Sequence, residues 1–207
     1  MSEIYVPAHD GTAEYTEKRS VFIGYVKHTA SEAEAKAFIN SIKKENSDAR
    51  HNCWCYIIRD KAERYSDDGE PQGTAGVPMI SVFKREGITD CACVVTRYFG
   101  GVLLGAPGLV RAYTRAASDA LKDAGAVRMV SFSIFSVKCD YGLFSRIRSE
   151  IVSIGGAVHD VQYGEAVTIT AAVPEGSAHA FCERIFDITA GKIMPEYIKD
   201  ELFPGGA

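Results

Sequence analysis

A change of hydrophobic period near residues 125–129 constrains the fold of this chain more than any other feature. From Pro107 to Ala124 apolar residues recur at helical spacing, and a glycine follows where such a helix would end. From Val130 onward the pattern is typical of a strand. The 207 residues are enough for two small domains. We therefore predict one domain over 1–128 and a second over 129–207.

The second part alternates strand and helix patterns in one recognisable order. The segments are Val130–Lys138, Tyr141–Ile154, Ala157–Tyr163, Ala166–Val173, Ser177–Thr189 and Lys192–Tyr197. Taken as strand, helix, strand, strand, helix and strand, they predict the βαββαβ order of a ferredoxin-like fold. That fold serves many unrelated functions, so it indicates none of them.

The first part mixes both kinds of element as well. Ser31 and Glu34 form a capping box that opens a helix through about Asn46. The other predicted segments are strands at Ser20–His28, His51–Ile58 and Cys91–Thr96, and helices at Ala75–Glu86 and Pro107–Ala124. The whole chain is therefore predicted to be an α+β protein.

The distribution of charge restricts the kind of partner. Residues 1–128 carry 17 basic and 17 acidic side chains, whereas 129–207 carry 6 and 10, so the net charge of −4 belongs to the second part. Wholesale coating of nucleic acid would need an excess of basic residues, and any anion-binding role is expected in the first part. No secretion signal, disulfide framework or membrane anchor is apparent, so we expect a cytoplasmic protein with no membrane contact.

The first candidate motif is the acidic, glycine-spaced loop Ser66–Pro78, SDDGEPQGTAGVP. It leads into a helix N-terminus, where unpaired backbone amides attract phosphates or carboxylates. Its acidic residues also have a plainer interpretation, as caps of those same amides, and clustered carboxylates are suited to Mg²⁺. The candidate anion- or partner-binding residues of this loop are Asp67, Asp68, Gly69, Glu70, Gly73, Thr74 and Gly76.

The second candidate motif is Thr96–Arg111, TRYFGGVLLGAPGLVR, which leaves a buried strand, turns on glycines and enters the long helix. Two arginines bracket it, an arrangement suited to an oxyanion. It lacks the endings of a phosphate-binding loop or a dinucleotide fingerprint. The alternative is a tight turn that needs positive φ, with its aromatic residues in the core. The candidate residues here are Arg97, Tyr98, Gly100, Gly101, Gly105 and Arg111.

Other reactive residues indicate less. Two C-x-C pairs, Cys53 with Cys55 and Cys91 with Cys93, are conceivable zinc ligands, but this spacing on apolar strands is more typical of small core residues. His51 stands two strand residues from Cys53, about 7 Å away, which is too far for a nucleophile and its base. We expect His51 to order the first motif or line its pocket. We assign no catalytic residue, no metal ligand and no cofactor.

Together, the two motifs and the segment Arg50–Tyr56, RHNCWCY, resemble the IMPACT family, and closely its bacterial two-domain YigZ branch. The resemblance implies a ribosomal-protein-like first domain, with a four-stranded sheet and two helices on one face. It implies a second domain similar to the last domain of elongation factor G. Family members often have lysine at the position of Leu103 and glycine at that of Pro107, so a shallow, weakly basic groove is expected here.

The resemblance also implies a function. Eukaryotic members regulate translation under starvation by competing for a partner of a kinase, and they bind without catalysis. The leading hypothesis is thus a non-catalytic protein that contacts RNA, ribosome or a translation factor and regulates translation. One alternative is a metal-dependent enzyme acting on a small phosphate- or carboxylate-bearing ligand. Another is that both motifs are purely structural and the working surface lies elsewhere.

Overall fold

The computed structural model describes residues 4–205, which form two compact units that divide between Arg128 and Met129. The α+β class is confirmed. The first unit contains β1 (Ile4–Pro7), β2 (Gly11–Glu17), β3 (Ser20–His28), α1 (Glu32–Glu45), β4 (His51–Ile58), β5 (Ala62–Ser66), α2 (Gly76–Arg85), β6 (Cys91–Tyr98) and α3 (Gly105–Ala124). The second contains most of β7 (Ala126–Cys139), which starts before the boundary, and α4 (Tyr141–Ser153), β8 (Ala157–Tyr163), β9 (Val167–Pro174), α5 (Ala178–Ile188) and β10 (Glu196–Pro204).

The first unit is built on an antiparallel sheet in the order β2-β3-β6-β4-β5. Helices α2 and α3 pack on one face, and α1 packs on the other. A fifth strand thus extends the expected four-stranded sheet, and a third helix covers its second face. The central strand β6 is buried along almost its whole length because it is covered on both faces.

Small residues let α3 approach the sheet closely. Its buried face includes alanines 112, 116, 117, 120 and 124. A Cβ added at Gly24 on β3 would stand 2.5 Å from the carbonyl oxygen of Ala116, so only glycine permits this spacing. The close contact fixes the distance between the middle of α3 and β3.

Local signals account for the helix ends. The Ser31 Oγ accepts a hydrogen bond from the Glu34 amide (3.2 Å), and the Glu34 carboxylate accepts one from the Ala30 amide (2.9 Å). Gly87 ends α2 with φ +68°, as expected of a residue just beyond a helix. Helix α3 begins at Gly105, two residues before the expected Pro107.

The second unit has its four strands in the order β10-β7-β9-β8, with all neighbours antiparallel. Helices α4 and α5 bury Ile147, Ile151, Phe181 and Ile185 in one core with β7 and β9. This is the ferredoxin-like arrangement. The last strand begins later than predicted, because the Thr189 hydroxyl accepts a hydrogen bond from the Ile193 amide (3.2 Å) and holds a turn there. Within residues 4–205, no helix is long and apolar enough to cross a membrane.

Candidate functional site

The first motif is held by Asp67, which caps the N-terminus of α2. One carboxylate oxygen of Asp67 accepts hydrogen bonds from the amides of Ala75 (3.0 Å) and Gly76 (2.8 Å). The other accepts one from the Gly73 amide (2.8 Å). The amides that we expected to receive an external anion are therefore paired with the chain's own carboxylate.

Asp68 ties the same loop to its neighbours. Its carboxylate accepts hydrogen bonds from Lys43 Nζ (2.6 Å) and from the Asn52 amide (2.8 Å). Its carbonyl oxygen lies 2.8 Å from His51 Nδ1. A carbonyl only accepts, so Nδ1 carries the proton and the other ring nitrogen of His51 is left for a different partner.

The remaining candidate residues of the first motif shape the loop. The Thr74 hydroxyl donates to the Pro71 carbonyl (2.6 Å), which closes a turn. Gly69 and Gly73 have φ of +85° and +78°, a region that favours glycine. A Cβ at Gly76 would come within 2.9 Å of the Tyr65 ring. These residues thus serve the loop's own conformation.

Glu70 forms a buried ion pair that joins the two motifs. One of its carboxylate oxygens accepts hydrogen bonds from Arg97 Nη1 (2.6 Å) and from the Tyr113 hydroxyl (2.7 Å). His51 Nε2 stands 4.0 Å from the same oxygen. The side chains of Glu70 and Arg97 are only 3% and 7% exposed. Burial, reinforced by Cys53 and Glu70, raises the pKa of Tyr113, so the hydroxyl remains a proton donor.

Arg97 is held between two aromatic rings and is incompletely paired. Its guanidinium carbon lies 5.5 Å from the Phe22 ring centre and 5.6 Å from that of Phe99. The Nε atom is buried and has no hydrogen-bond partner within residues 4–205. An unpaired buried donor is costly, and such an atom is a frequent mark of a site with a missing partner.

A cleft of ≈ 410 Å³ opens between the two motifs. The predicted site residues His51, Glu70, Arg97 and Gly105 line it. Residues of the same motifs and of the Arg50–Tyr56 segment that were not among the candidate binding residues complete the lining: Arg50, Pro71, Phe99, Leu103, Leu104, Ala106 and Leu109. The lining of the cleft is thus partly charged and partly apolar.

The second motif forms the rim of this cleft. Gly101 and Gly105 have φ of +82° and +67°, so the backbone has the positive φ of the tight turn that was the alternative to an anion site. The expectation that Phe99 is a core residue is wrong, since its side chain is 41% exposed. Helix α3 starts at Gly105 with no side-chain cap and no acidic residue in its first turn. Unlike α2, it presents its first amides without an internal anion.

Two other predicted residues stand apart from the cleft lining. The Tyr98 hydroxyl lies 3.2 Å from both Asn46 Oδ1 and Asp48 Oδ1, which fixes it against the end of α1. Arg111 is exposed on α3. Its charge acts on Tyr15, whose pKa is raised mainly by a hydrogen bond to Glu17 and is lowered slightly by Arg111. The lining of the cleft therefore includes Arg97 but not Arg111.

Gly100 brings a further basic segment to the rim. A Cβ at Gly100 would overlap the backbone of Arg19, and its amide donates to the Ser20 hydroxyl (3.1 Å). The turn of the β2–β3 hairpin, at Lys18 and Arg19, therefore packs directly against the second motif. Both of its side chains are exposed. The distance along the chain hid this contact from sequence reasoning.

The cysteines of the first unit are inert core residues. Burial raises the pKa of Cys53 to about 12, and its thiol donates to the Asp67 carbonyl (3.0 Å). Burial likewise raises the pKa of Cys55 and Cys91. Over the described part of the chain, no three His, Cys, Asp or Glu side chains converge as metal ligands do. The geometry favours the core interpretation of the two C-x-C pairs over zinc.

The fold and the cleft define a class of protein: two α+β units, with a partner- or ligand-sized cleft in the first. Comparison with known protein families identifies the family to which this two-unit chain belongs. The profile described as Impact N-terminal domain matches residues 18–121, and a domain of unknown function, DUF1949, matches 137–192. The chain belongs to the IMPACT family.

Individual relatives agree over nearly the whole chain. IMPACT family member YvyE of Bacillus subtilis is 39% identical over 184 residues, which cover 88% of this chain and 85% of that protein. IMPACT family member YigZ of Escherichia coli is 32% identical over 198 residues, covering 94% and 97%. A crystal structure described as that of a hypothetical protein superimposes with a TM-score of 0.68 at 31% identity, covering 96% of this chain and 98% of the other.

Proposed function

We propose that this chain is a non-catalytic, cytoplasmic binding protein that contacts the translation machinery through the cleft of its first unit and thereby regulates translation. The partner is RNA, the ribosome or a translation factor. The observation that carries the proposal is the incompletely paired Arg97 in the lining of a cleft that also includes the exposed Arg50. Similarity of residues in this unit to proteins named IMPACT in eukaryotes supports the regulatory role.

The charges of the rim support an anionic partner. Lys18, Arg19 and Arg50 are exposed, and within residues 4–205 none of them has a carboxylate partner. The nearby Glu17 is already engaged by the Tyr15 hydroxyl (2.7 Å). Unpaired cations around a cleft raise the local concentration of phosphates and carboxylates and accelerate their association.

The acids of the first motif favour binding over metal-dependent catalysis. A divalent cation needs several oxygen ligands free to converge on it. Here Asp67 accepts three amide hydrogen bonds, Asp68 accepts from an ammonium and an amide, and Glu70 accepts from a guanidinium. Because each carboxylate is already used, the rival hypothesis of an enzyme acting on a small anion lacks its metal ligands.

Co-sedimentation with purified ribosomes tests the proposal. The double variant Arg19→Glu, Arg50→Glu reverses two rim charges without touching the buried Glu70–Arg97 pair. The control is the single charge reversal Arg85→Glu, because Arg85 is also exposed but lies at the C-terminal end of α2, where it pairs with Glu86. We expect wild type and control to co-sediment at low salt, the double variant to remain in the supernatant, and binding to weaken steeply as salt rises.

Two outcomes would refute the proposal. If the wild-type protein stays in the supernatant at low salt, the ribosome is excluded as a partner. If ribosomal RNA and purified translation factors also show no shift in a parallel binding assay, the other two partners are excluded. Equal loss of binding in the control and the double variant would show that bulk charge, and not the cleft, drives association.

A further inference from the structure

The apolar part of the cleft lining is unusually exposed to solvent. From one turn of the second motif, Phe99 and Val102 are each 41% exposed and Leu103 is 81% exposed. The partly buried Leu104 continues the apolar surface into the cleft, where the buried Leu109 also contributes to the lining. Three adjacent large apolar side chains in water mark a contact surface, because covering them removes apolar area from solvent.

The charged part of the lining belongs to the same cleft and includes Arg97, which is two positions before Phe99 in the sequence. The Arg97 side chain is only 7% exposed; one of its amino groups holds Glu70, and its Nε has no partner within residues 4–205. The first amides of α3, at Gly105 and Ala106, line the same space and have no side-chain cap. A guanidinium and uncapped helix amides together suit a carboxylate or phosphate oxygen.

The aromatic residue of the cleft distinguishes between two classes of partner. Single-stranded RNA is typically held by bases that stack on free aromatic faces. The guanidinium groups of Arg50 and Arg97 already lie over the Phe99 ring, 5.8 and 5.6 Å from its centre. The other apolar side chains of the lining are aliphatic, which suits an amino-acid side chain better than a base.

We infer that the cleft receives a peptide segment of a protein partner, in which a large apolar side chain lies beside one or more carboxylates. The apolar side chain packs against Leu103 and Leu104, and the carboxylate faces Arg97 and the start of α3. Lys18, Arg19 and Arg50 attract further acidic residues of the segment. The inference rests on the proposed binding function and names its partner class as an acidic peptide.

The test begins with selection from a random dodecapeptide display library against the full-length chain. A fluorescein-labelled copy of the selected peptide is then titrated by anisotropy against four variants. Arg50→Glu removes charge complementarity, and Leu103→Asp removes the apolar contact. The matched controls are Arg85→Glu and Val152→Asp, since Val152 is 61% exposed and lies in the second unit.

We expect the selected peptides to share an apolar residue with Asp or Glu close by. Arg50→Glu and Leu103→Asp should each weaken binding about tenfold or more, the effect of losing a central interface contact, while the controls bind like wild type. A uridine oligonucleotide should not compete for the labelled peptide.

Several outcomes overturn the inference: selected peptides without this composition, equal binding by all four variants, or displacement of the peptide by the oligonucleotide. A dimer in sedimentation velocity that Leu103→Asp dissociates would assign the surface to a second copy of this chain. Ribosome co-sedimentation distinguishes a failure of the peptide inference from a failure of the proposed function. Co-sedimentation without peptide binding refutes the peptide alone, and peptide binding without co-sedimentation refutes the ribosome as partner.

Discussion

Replacing Asp67 by alanine should destabilise the first unit, because it removes three hydrogen bonds at once. Two of them come from amides of part-buried backbone at the start of α2, and the third comes from the exposed Gly73 amide, which water can satisfy. A hydrogen bond to a charged group contributes about 1.5–3 kcal/mol, and loss of a helix cap costs ~1 kcal/mol. We expect Asp67→Ala to lower the free energy of unfolding by roughly 2–4 kcal/mol.

Asp67→Asn provides an internal scale for this estimate. Asparagine keeps one acceptor oxygen but loses the charge, so about half of the effect should remain, roughly 1–2 kcal/mol. The control is Glu45→Ala, which removes an exposed carboxylate at the end of α1.

Urea unfolding followed by tryptophan fluorescence measures the effect. Trp54 is the single tryptophan of the chain and lies on β4, so its signal reports on the first unit even where the two units unfold separately. If Asp67→Ala unfolds within ~0.5 kcal/mol of the control, the carboxylate is not a structural cap. The first motif would then again be a candidate for binding an anion or a metal.

Three further predictions follow from the same geometry. Glu70→Gln leaves the Arg97 charge buried without its partner, so urea unfolding should show a loss of about 3–5 kcal/mol, and a loss under ~1 kcal/mol would contradict the buried pair. Gly100→Ala should lower the melting temperature, because its Cβ would overlap the neighbouring hairpin, whereas Gly142→Ala, with open space around it, should not. In native protein Cys182, the one half-buried thiol, should be alkylated before the five buried ones, and mass spectrometry showing another cysteine first would refute this.

The elements that the sequence predicted well are those whose burial is periodic along the chain. The inward stripe of α3 at Leu109, Tyr113 and Leu121 is buried as expected, because a 20-residue helix packs one face on the sheet. The βαββαβ order of the second unit was predictable for the same reason. Glycines that follow these elements in the sequence also indicated where the elements end.

The edge strands β2 and β5 escaped prediction. Most residues of β5 are exposed, and β2 alternates exposed with partly buried positions. Neither segment has an apolar run that would mark it as a strand. Each is an edge strand, paired along one side only, and its backbone is held by hydrogen bonds to its neighbour, β3 or β4. Their strand conformation is a property of the assembled sheet and not of their own composition.

The sequence motifs predicted which segments form the candidate site, but not which of their residues contact each other. Strand register places His51 opposite Arg97 and Val21 opposite Tyr98, so it carries both Arg50 and the Lys18–Arg19 turn to the second motif. Register cannot be deduced from either motif alone. The same applies to the pairing of Glu70 with Arg97, which are 27 positions apart along the chain.

Site-specific photo-crosslinking from the cleft in living cells tests the central claim most directly. A photoreactive phenylalanine analogue would replace Leu103, which is 81% exposed, and in a control chain it would replace Tyr65, which is 51% exposed in the same unit. We expect Leu103, but not Tyr65, to yield adducts with a ribosomal protein or a translation factor, because the cleft is inferred to receive a peptide segment. Adducts with these proteins that are equally abundant from both positions, or absent from both, would contradict the proposal.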